Sequence, residues 1–352
     1  MDAVLQGLAE RVRAAAQSGQ PLRLHGGGTK DFYGNAPAGE PFDTRAYAGI
    51  VSHEASELVV TARCGTPLAE LEQALVEANQ MLPFEPPHFG AGATLGGCVA
   101  AGLSGPRRAS AGALRDFVLG ARLLDGRGRL LSFGGQVMKN VAGYDVSRLV
   151  AGSLGTLGVI LEVSLKVLPR PATEASLRLE AAEGQALEWM NRWAGRPLPV
   201  SATSFSDGVL CVRLSGAPAA VRAARESLGG AELPRAAEYW TGLREHSHPA
   251  FAGDRPLWRL SVPSTTPPLG LPGTQLIEWG GALRWLASDA EPGVVRDATR
   301  RAGGHATLFR ARDKSCGAFA PLSAVSARLH RELKAAFDPA GIFNRGRLYP
   351  DL

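Results

Sequence analysis

A chain of 352 residues with 45% apolar residues is long enough for two domains and a sizeable buried core, which excludes global disorder. Its net charge of +5 is almost all arginine, since lysine occurs only at Lys30, Lys139, Lys166, Lys314 and Lys334, and no basic run, zinc-finger spacing or aromatic RNA-binding pattern accompanies it, so a nucleic-acid partner is not expected. The four cysteines, Cys64, Cys98, Cys211 and Cys316, form no Cys-x-x-Cys pair, which excludes a local iron–sulfur or zinc motif and suits reduced, mostly buried thiols in a cytosolic protein; neither a secretory leader nor a membrane-spanning run is expected.

Val4, Leu5, Leu8 and Val12 recur at helical spacing, so residues 3–17 are expected to open the chain as an amphipathic helix. The apolar run 21–24 reads as a strand leading into His25-Gly26-Gly27-Gly28-Thr29-Lys30. Consecutive glycines reach backbone angles closed to other residues, so this turn is either a tight strand-to-loop connection or a nest of N–H groups aimed at an anion. Residues 50–52 and 57–63 read as strands. Thr66 is expected to cap a helix that has Pro67 at its first position and runs to about residue 79.

Residues 90–106 are dense in glycine and alanine, which lets the backbone approach something flat or anionic, or simply pack tightly. Gly90 and Gly92 come near a dinucleotide fingerprint, but Leu95 stands where a third glycine is needed and no acidic residue follows at the right distance, so a nicotinamide-binding unit is not expected. Residues 117–124 and 129–133 flank Asp125-Gly126-Arg127-Gly128, a hairpin signal. After Lys139-Asn140 and Gly143-Tyr144-Asp145 comes a short helix through Leu149, then Gly152-Ser153-Leu154-Gly155-Thr156-Leu157-Gly158 and a strand over 159–167. Pro169-Arg170-Pro171 marks a boundary.

Beyond it, strands are expected at 176–180, 200–205, 209–214, 258–262, 275–279, 283–286 and 305–310. Helices are expected at 185–193, 218–228 and 292–302, with a last one ending at Phe337 before an extended tail. This pattern is that of an α+β layer with an antiparallel sheet.

Four separated motifs then fall in a recognisable order: His25 to Lys30, Ala93-Thr94-Leu95-Gly96-Gly97, Ser104-Gly105 with Arg108 and Gly112, and Gly152 to Ile160. Together they resemble the PCMH-type, vanillyl-alcohol-oxidase-like FAD-binding domain over about residues 15–170. Residues 257–263, 277–281 with Trp285, 303–310 and 337–349 resemble the E-subunit family of bacterial glycolate oxidase, also called glycolate dehydrogenase.

The resemblance implies an α+β fold made of a PCMH-type FAD-binding domain of two α+β subdomains (1–170), an α+β cap with an antiparallel sheet (171–312), and a C-terminal helix and tail returning to the FAD domain (313–352). It implies that Gly26, Gly27, Gly28 and Thr29, with His25 and Lys30 at either end, cradle the pyrophosphate, where a side chain at position 27 would intrude. Ala93, Thr94, Gly96 and Gly97 would line flavin and phosphates, Ser104, Gly105, Arg108 and Gly112 would finish that wall, and Gly155, Thr156, Gly158, Val159 and Ile160 would hold the adenosine end. Asn344 would touch the flavin edge from the tail, beside Arg345, where the family usually has proline. Covalent members carry histidine where Thr29 stands, which implies non-covalent FAD.

Candidates for catalysis are His305, Arg310 and Tyr144. The Gly-Glu-His-Gly motif of catalytic 2-hydroxy-acid dehydrogenases is absent, Gly303-Gly304-His305 being the nearest approach, and no metal is expected. His246 and His248 read as an exposed loop pair, and Trp258, Trp279 and Trp285 as core or interface anchors. Arg284 and Arg310 are of a type that binds carboxylates bidentately.

The implied function is that of an FAD-binding subunit of a complex oxidising glycolate, a small 2-hydroxy acid, to glyoxylate. Its implied partners are a D-type FAD subunit that carries the substrate chemistry and an iron–sulfur subunit. The implied location is the cytoplasm or the inner membrane surface, reached through the complex without a membrane span. A stand-alone D-2-hydroxy-acid dehydrogenase and a non-catalytic structural subunit are the alternatives.

Overall fold

The computed structural model describes residues 2–135 and 145–352, so Lys139 and Tyr144 lie outside the described residues. The chain is α+β, as expected; its described residues form a two-stranded parallel pair, a two-stranded antiparallel pair, and antiparallel sheets of five and eight strands.

The opening helix, Ala3–Ser18, is capped by the Asp2 carboxylate, which accepts from the Val4 N–H, and ends at Gly19 in the left-handed region. Its buried face (Leu5, Leu8, Val12, Ala15) packs with Leu22 and Phe42 of the parallel pair Leu22–His25 and Glu40–Asp43, and with Ile342 and Phe343 of the tail. The tail extends this layer: Leu22 N–H donates to Ile342 O and Asn344 N–H donates to Leu22 O.

The five-stranded sheet runs in the order Ile50–Glu54, Val59–Arg63, Val159–Lys166, Val118–Leu124, Leu130–Gly134. Helices Leu68–Glu77 and Leu95–Ala101 cover it, burying Leu68, Leu71, Leu75, Leu95, Cys98 and Val99 against Val60, Ala62, Val163 and Leu165. Thr66 does not cap the first of these helices. Its hydroxyl donates to Arg63 O and accepts from Gly49 N–H, while Pro67 occupies the cap position, so the threonine ties two loops together instead. The expected hairpin forms around Asp125, whose buried carboxylate accepts from the backbone N–H groups of Arg127 and Arg129.

The eight-stranded sheet is antiparallel throughout, in the order Ala231–Glu232, Thr173–Glu180, Val209–Gly216, Val200–Ser206, Thr274–Glu278, Leu283–Ala287, Leu257–Ser261, His305–Arg310. Side chains of successive strand residues point to opposite faces. Leu210, Val212 and Ile277 accordingly pack under helices Glu183–Ala194 and Pro218–Leu228, and Trp258, Leu286 and Leu308 pack with Val295 of helix Pro292–Arg301. Cys211, Leu276, Trp285 and Phe309 face the other way, against Tyr33, Ala101, Leu103 and Leu154 of the first part of the chain. On that side lies a helix the sequence reading passed over, Ala236–Glu245. It is entered through Arg235 in the left-handed region and buries only Trp240, Gly242 and Leu243, too sparse a stripe to register as helical periodicity.

Candidate functional site

The parallel pair delivers the chain from His25 into a cleft between the two-stranded layer, helix Leu95–Ala101, the start of strand Val159–Lys166 and the tail. His25, Gly26, Gly27, Gly28, Thr29 and Lys30 form one wall, Thr94, Gly96 and Gly97 a second, Gly155, Gly158, Val159 and Ile160 a third, and Asn344 closes the end. The structure thus brings together most of the candidate cofactor residues.

Gly28 takes the turn at φ 69°, and the backbone N–H groups of Gly27, Gly28, Thr29 and Lys30 meet no protein acceptor among the described residues. Uncommitted N–H groups at the mouth of a cleft are what an anion needs. Lys30 places a cation beside them: its ammonium donates to His88 O at 3.1 Å, and burial pulls its pKa down. The His25 ring nitrogen Nδ1 lies 3.0 Å from Gly26 O, which turns the imidazole onto its own loop.

The glycines of this site serve the protein's own packing first. A β-carbon on Gly27 would collide with Gly92 O. One on Gly96 would stand 2.8 Å from Cys64 Cβ, and one on Gly155, itself at φ 70°, would stand 2.8 Å from Asn344 Nδ2. The first turn of helix Leu95–Ala101 is likewise spent internally. Leu95 N–H donates to Thr66 O, Gly96 N–H to Cys64 O, and Gly97 N–H to Thr94 Oγ1. The open donors of the cleft belong to the glycine loop.

Asn344 braces the floor: Oδ1 accepts from Leu24 N–H at 2.7 Å and Nδ2 donates to Leu154 O at 2.6 Å. Arg347, which the sequence reading did not single out, lines the same cleft and donates to the carbonyls of Asp31, Tyr33 and Asn35, fixing the loop after Lys30. Nothing in a chain so rich in arginine marked it. The apolar wall of Leu24, Ala100, Ala101 and Leu154 was equally silent, because these residues read simply as core.

Other candidates lie outside the cleft. Ala93 is buried, and the Thr156 hydroxyl donates to Ser153 O. Ser104 Oγ accepts from Leu114 N–H, Gly105 O accepts from the Trp279 indole, Arg108 stacks 4.5 Å from the Trp279 ring, and Gly112 ends a short helical turn. This segment joins the first part of the chain to the eight-stranded sheet, and Trp279 is the anchor across the seam.

The catalytic candidates are not assembled at the cleft. His305 is exposed at the start of the edge strand. Arg310 donates to His246 Nδ1 at 3.1 Å. That histidine is half-buried rather than on an exposed loop: it stacks on Phe251 with ring centres 4.0 Å apart, meets Trp285 edge-on and lies tilted against Phe309. Burial, reinforced by Arg310 and Arg259, drives its pKa well below the usual range, so it is a neutral acceptor. The His248 ring accepts from Ala250 N–H, and among the described residues no cluster of His, Cys, Asp and Glu could hold a metal. Arg284 is fully buried and spends its donors on the carbonyls of Thr266, Pro267 and Gly281. Among the described residues no helix is long and apolar enough to cross a membrane.

Comparison with known proteins agrees with this geometry. The family described as FAD binding domain matches residues 5–134. Glycolate oxidase subunit GlcE of Escherichia coli (strain K12) is 51% identical over 99% of this chain and 98% of its own length. Glycolate oxidase subunit GlcD of Bacillus subtilis (strain 168) is 31% identical over 36% of this chain and 27% of its own length, and a D-lactate dehydrogenase of Archaeoglobus fulgidus is 32% identical over 45% and 36%. A solved structure of an alkyldihydroxyacetonephosphate synthase superposes with a TM-score of 0.66 at 17% identity, over 96% of this chain and 74% of that one, which shows the shared fold. An open N–H loop at the mouth of the cleft, an FAD-binding domain match and near full-length similarity together place the chain in the family of glycolate oxidase subunit GlcE, FAD-binding oxidoreductases of the PCMH-type fold.

Proposed function

We propose that this chain is the flavin-holding E-type subunit of a glycolate oxidase complex, in which glycolate becomes glyoxylate and electrons leave through an iron–sulfur subunit. The observation that carries the reading is the row of uncommitted N–H groups from Gly27 to Lys30, in a chain 51% identical to a glycolate oxidase subunit along its whole length. The residues present fit FAD. The loop 27–30 would take the pyrophosphate, Gly155, Gly158, Val159 and Ile160 the adenosine end, and Asn344 would keep both walls in register. Bound flavin supplies a two-electron acceptor. Thr29 offers no imidazole for a covalent link, so the cofactor is held by contacts alone.

On this reading residues 1–170 form the FAD domain, 171–312 the cap and 313–352 the returning helix and tail. A D-type flavoprotein and an iron–sulfur protein are the partners, and the complex sits in the cytoplasm or at the inner membrane surface. The test is to purify the chain alone and together with those partners, and to assay glycolate oxidation with a dye acceptor. The expected result is a yellow protein whose flavin is released by acid, with turnover only in the complex. Robust turnover by the chain alone overturns the subunit assignment, and a colourless chain that takes up no added FAD overturns the flavin assignment.

A further inference from the structure

Two buried lysines of this chain differ in what answers their charge. Lys334 meets the Asp338 carboxylate at 2.8 Å and two backbone carbonyls. Lys30 is 8% exposed and lines the cleft, yet it forms no ion pair among the described residues. Its ammonium donates to His88 O at 3.1 Å and reaches Thr29 Oγ1 at 3.4 Å, which leaves one of its three N–H groups uncommitted. Glu245, the carboxylate whose charge acts on it, is spent on the backbone N–H groups of His88 and Phe89 and on Arg244. A buried ammonium with neither a carboxylate nor a full set of acceptors is costly, and such a charge persists where a ligand answers it.

The position of Lys30 along the cleft selects which part of the cofactor that is. Residues 26–30 run alongside residues 88–94 in the opposite direction: Gly26 faces Thr94, Gly27 rests on Gly92, Thr29 lies against Gly90 and Lys30 reaches His88. Where this run starts, Leu24 and Asn344 stand beside Gly155. Where it ends, the Lys30 ammonium lies 5.7 Å from the ring of Phe89, which packs edge-on against Phe32 and Phe309 at the seam with the eight-stranded sheet. The open N–H groups of the glycine loop lie between the two ends. With the adenosine at the Gly155 end and the pyrophosphate on the loop, the Lys30 end is left for the flavin ring.

We infer that Lys30 faces the isoalloxazine ring of the bound flavin and that its positive charge raises the ring's reduction potential. The inference rests on the proposed function for the placement of adenosine and pyrophosphate. Two electrons and one proton turn the neutral oxidised ring into an anion. In the complex they come from the 2-hydroxy acid, which loses two electrons and two protons to become a 2-oxo acid, the second proton passing to solvent. A cation beside the ring binds the reduced cofactor more tightly than the oxidised one, and that difference in affinity is the shift in potential. Burial strengthens the effect, because little water screens the charge. The pyrophosphate carries the same charge in both redox states, so a lysine spent on it would leave the potential unmoved.

The test is a redox titration of the FAD-loaded full chain with dithionite against a reference dye, alongside titration of the apoprotein with oxidised FAD. Lys30→Met is expected to lower the equilibrium constant for flavin reduction at least about tenfold, which is about 30 mV for a two-electron couple, while oxidised FAD binds within about threefold of the parent. Lys30→Arg keeps the charge and is expected to hold that constant within about twofold of the parent. An unmoved potential in flavin-loaded Lys30→Met overturns the inference alone, and a loss of FAD affinity equal in both redox states assigns the lysine to the pyrophosphate instead. A potential lowered as far by Lys30→Arg as by Lys30→Met shows an effect of packing rather than charge and overturns it too. Should Lys30→Met lose its fold, Lys30→Gln replaces it under the same criteria. A parent chain that takes up no FAD overturns the proposed function, and this inference with it.

Discussion

The α-carbon of Gly27 is packed so closely on the carbonyl of Gly92 that a β-carbon at position 27 would overlap that oxygen, whereas a β-carbon at position 92 would rest at an ordinary 3.5 Å from Gly27 O. Two glycines of one contact therefore differ in what they tolerate. Gly27→Ala is expected to separate the two loops, cost about 2 kcal/mol or more and empty the flavin site. Gly92→Ala is expected to keep full flavin occupancy and a melting temperature near that of the parent. Flavin-to-protein absorbance ratio and thermal melts of the two variants check this, and equal behaviour would contradict it.

Asn344 joins strand and loop through one amide, accepting from Leu24 and donating to Leu154. Asn344→Asp keeps the first bond but sets a carboxylate oxygen against the Leu154 carbonyl. The expected cost is about 1–3 kcal/mol for the lost buried partner, together with a weaker FAD dissociation constant. Asn344→Ala should cost more, because it orphans Leu24 N–H as well as Leu154 O. Urea unfolding and FAD titration of the apoprotein measure the two effects separately.

The Lys334 ammonium is buried among Thr156 O, Phe343 O and the Asp338 carboxylate, and that carboxylate also accepts from the N–H groups of Ile342 and Phe343. Lys334→Met leaves a buried carboxylate without its counter-ion and two carbonyls without a donor. The expected loss is about 3–5 kcal/mol, against less than about 1 kcal/mol for breaking the exposed pair Arg328–Glu332 by Arg328→Met. Denaturant midpoints of the two variants give the comparison.

Glu278 supplies a pH dependence. Burial pushes its carboxyl up to about 7 from 4.5, the Glu85 charge adds to this, and the Trp285 hydrogen bond, Arg259 and Arg213 oppose it. A carboxyl raised in the folded state holds a proton that the unfolded chain has already lost, so stability falls as pH rises from about 4.5 through about 7 and stays lower above. Glu278→Gln removes that penalty. From pH 5 to pH 8 the stability of the variant relative to the parent is expected to rise by about 2–3 kcal/mol. Urea unfolding at the two pH values checks it, and a constant difference would show that the carboxyl does not titrate in this range.

Much of the architecture was legible because it depends on local pattern. Alternation at 209–214 and the Asp125-Gly126 turn announce strands whatever they later pack against, and Pro218 at a helix start fixes that helix's onset. The glycine loop was legible because left-handed angles at Gly28 and Gly155 leave few other residue types available. What could not be read is what distance in sequence conceals. Thr66 looks like a cap until Gly49 and Arg63 are brought to it. His246 looks like a loop residue until Phe251, Trp285 and Phe309 close around it. Arg259 and Glu278 carry no motif at all, since only the fold sets a guanidinium and a carboxyl on the two strands that flank Leu283–Ala287.

The strand that leads into the glycine loop is completed by residues from the opposite end of the chain, Ile342, Phe343 and Asn344, and the loop that follows is held by Arg347. During synthesis the loop at residues 26–30 leaves the ribosome early and lacks the brace that residues 342–347 supply until that segment follows it. Such a distant contact must wait for the intervening chain to order. Flavin capture is therefore expected to follow the ordering of residues 342–347, and a chain cut before residue 342 is expected to stay an apoprotein with every glycine of the loop in place.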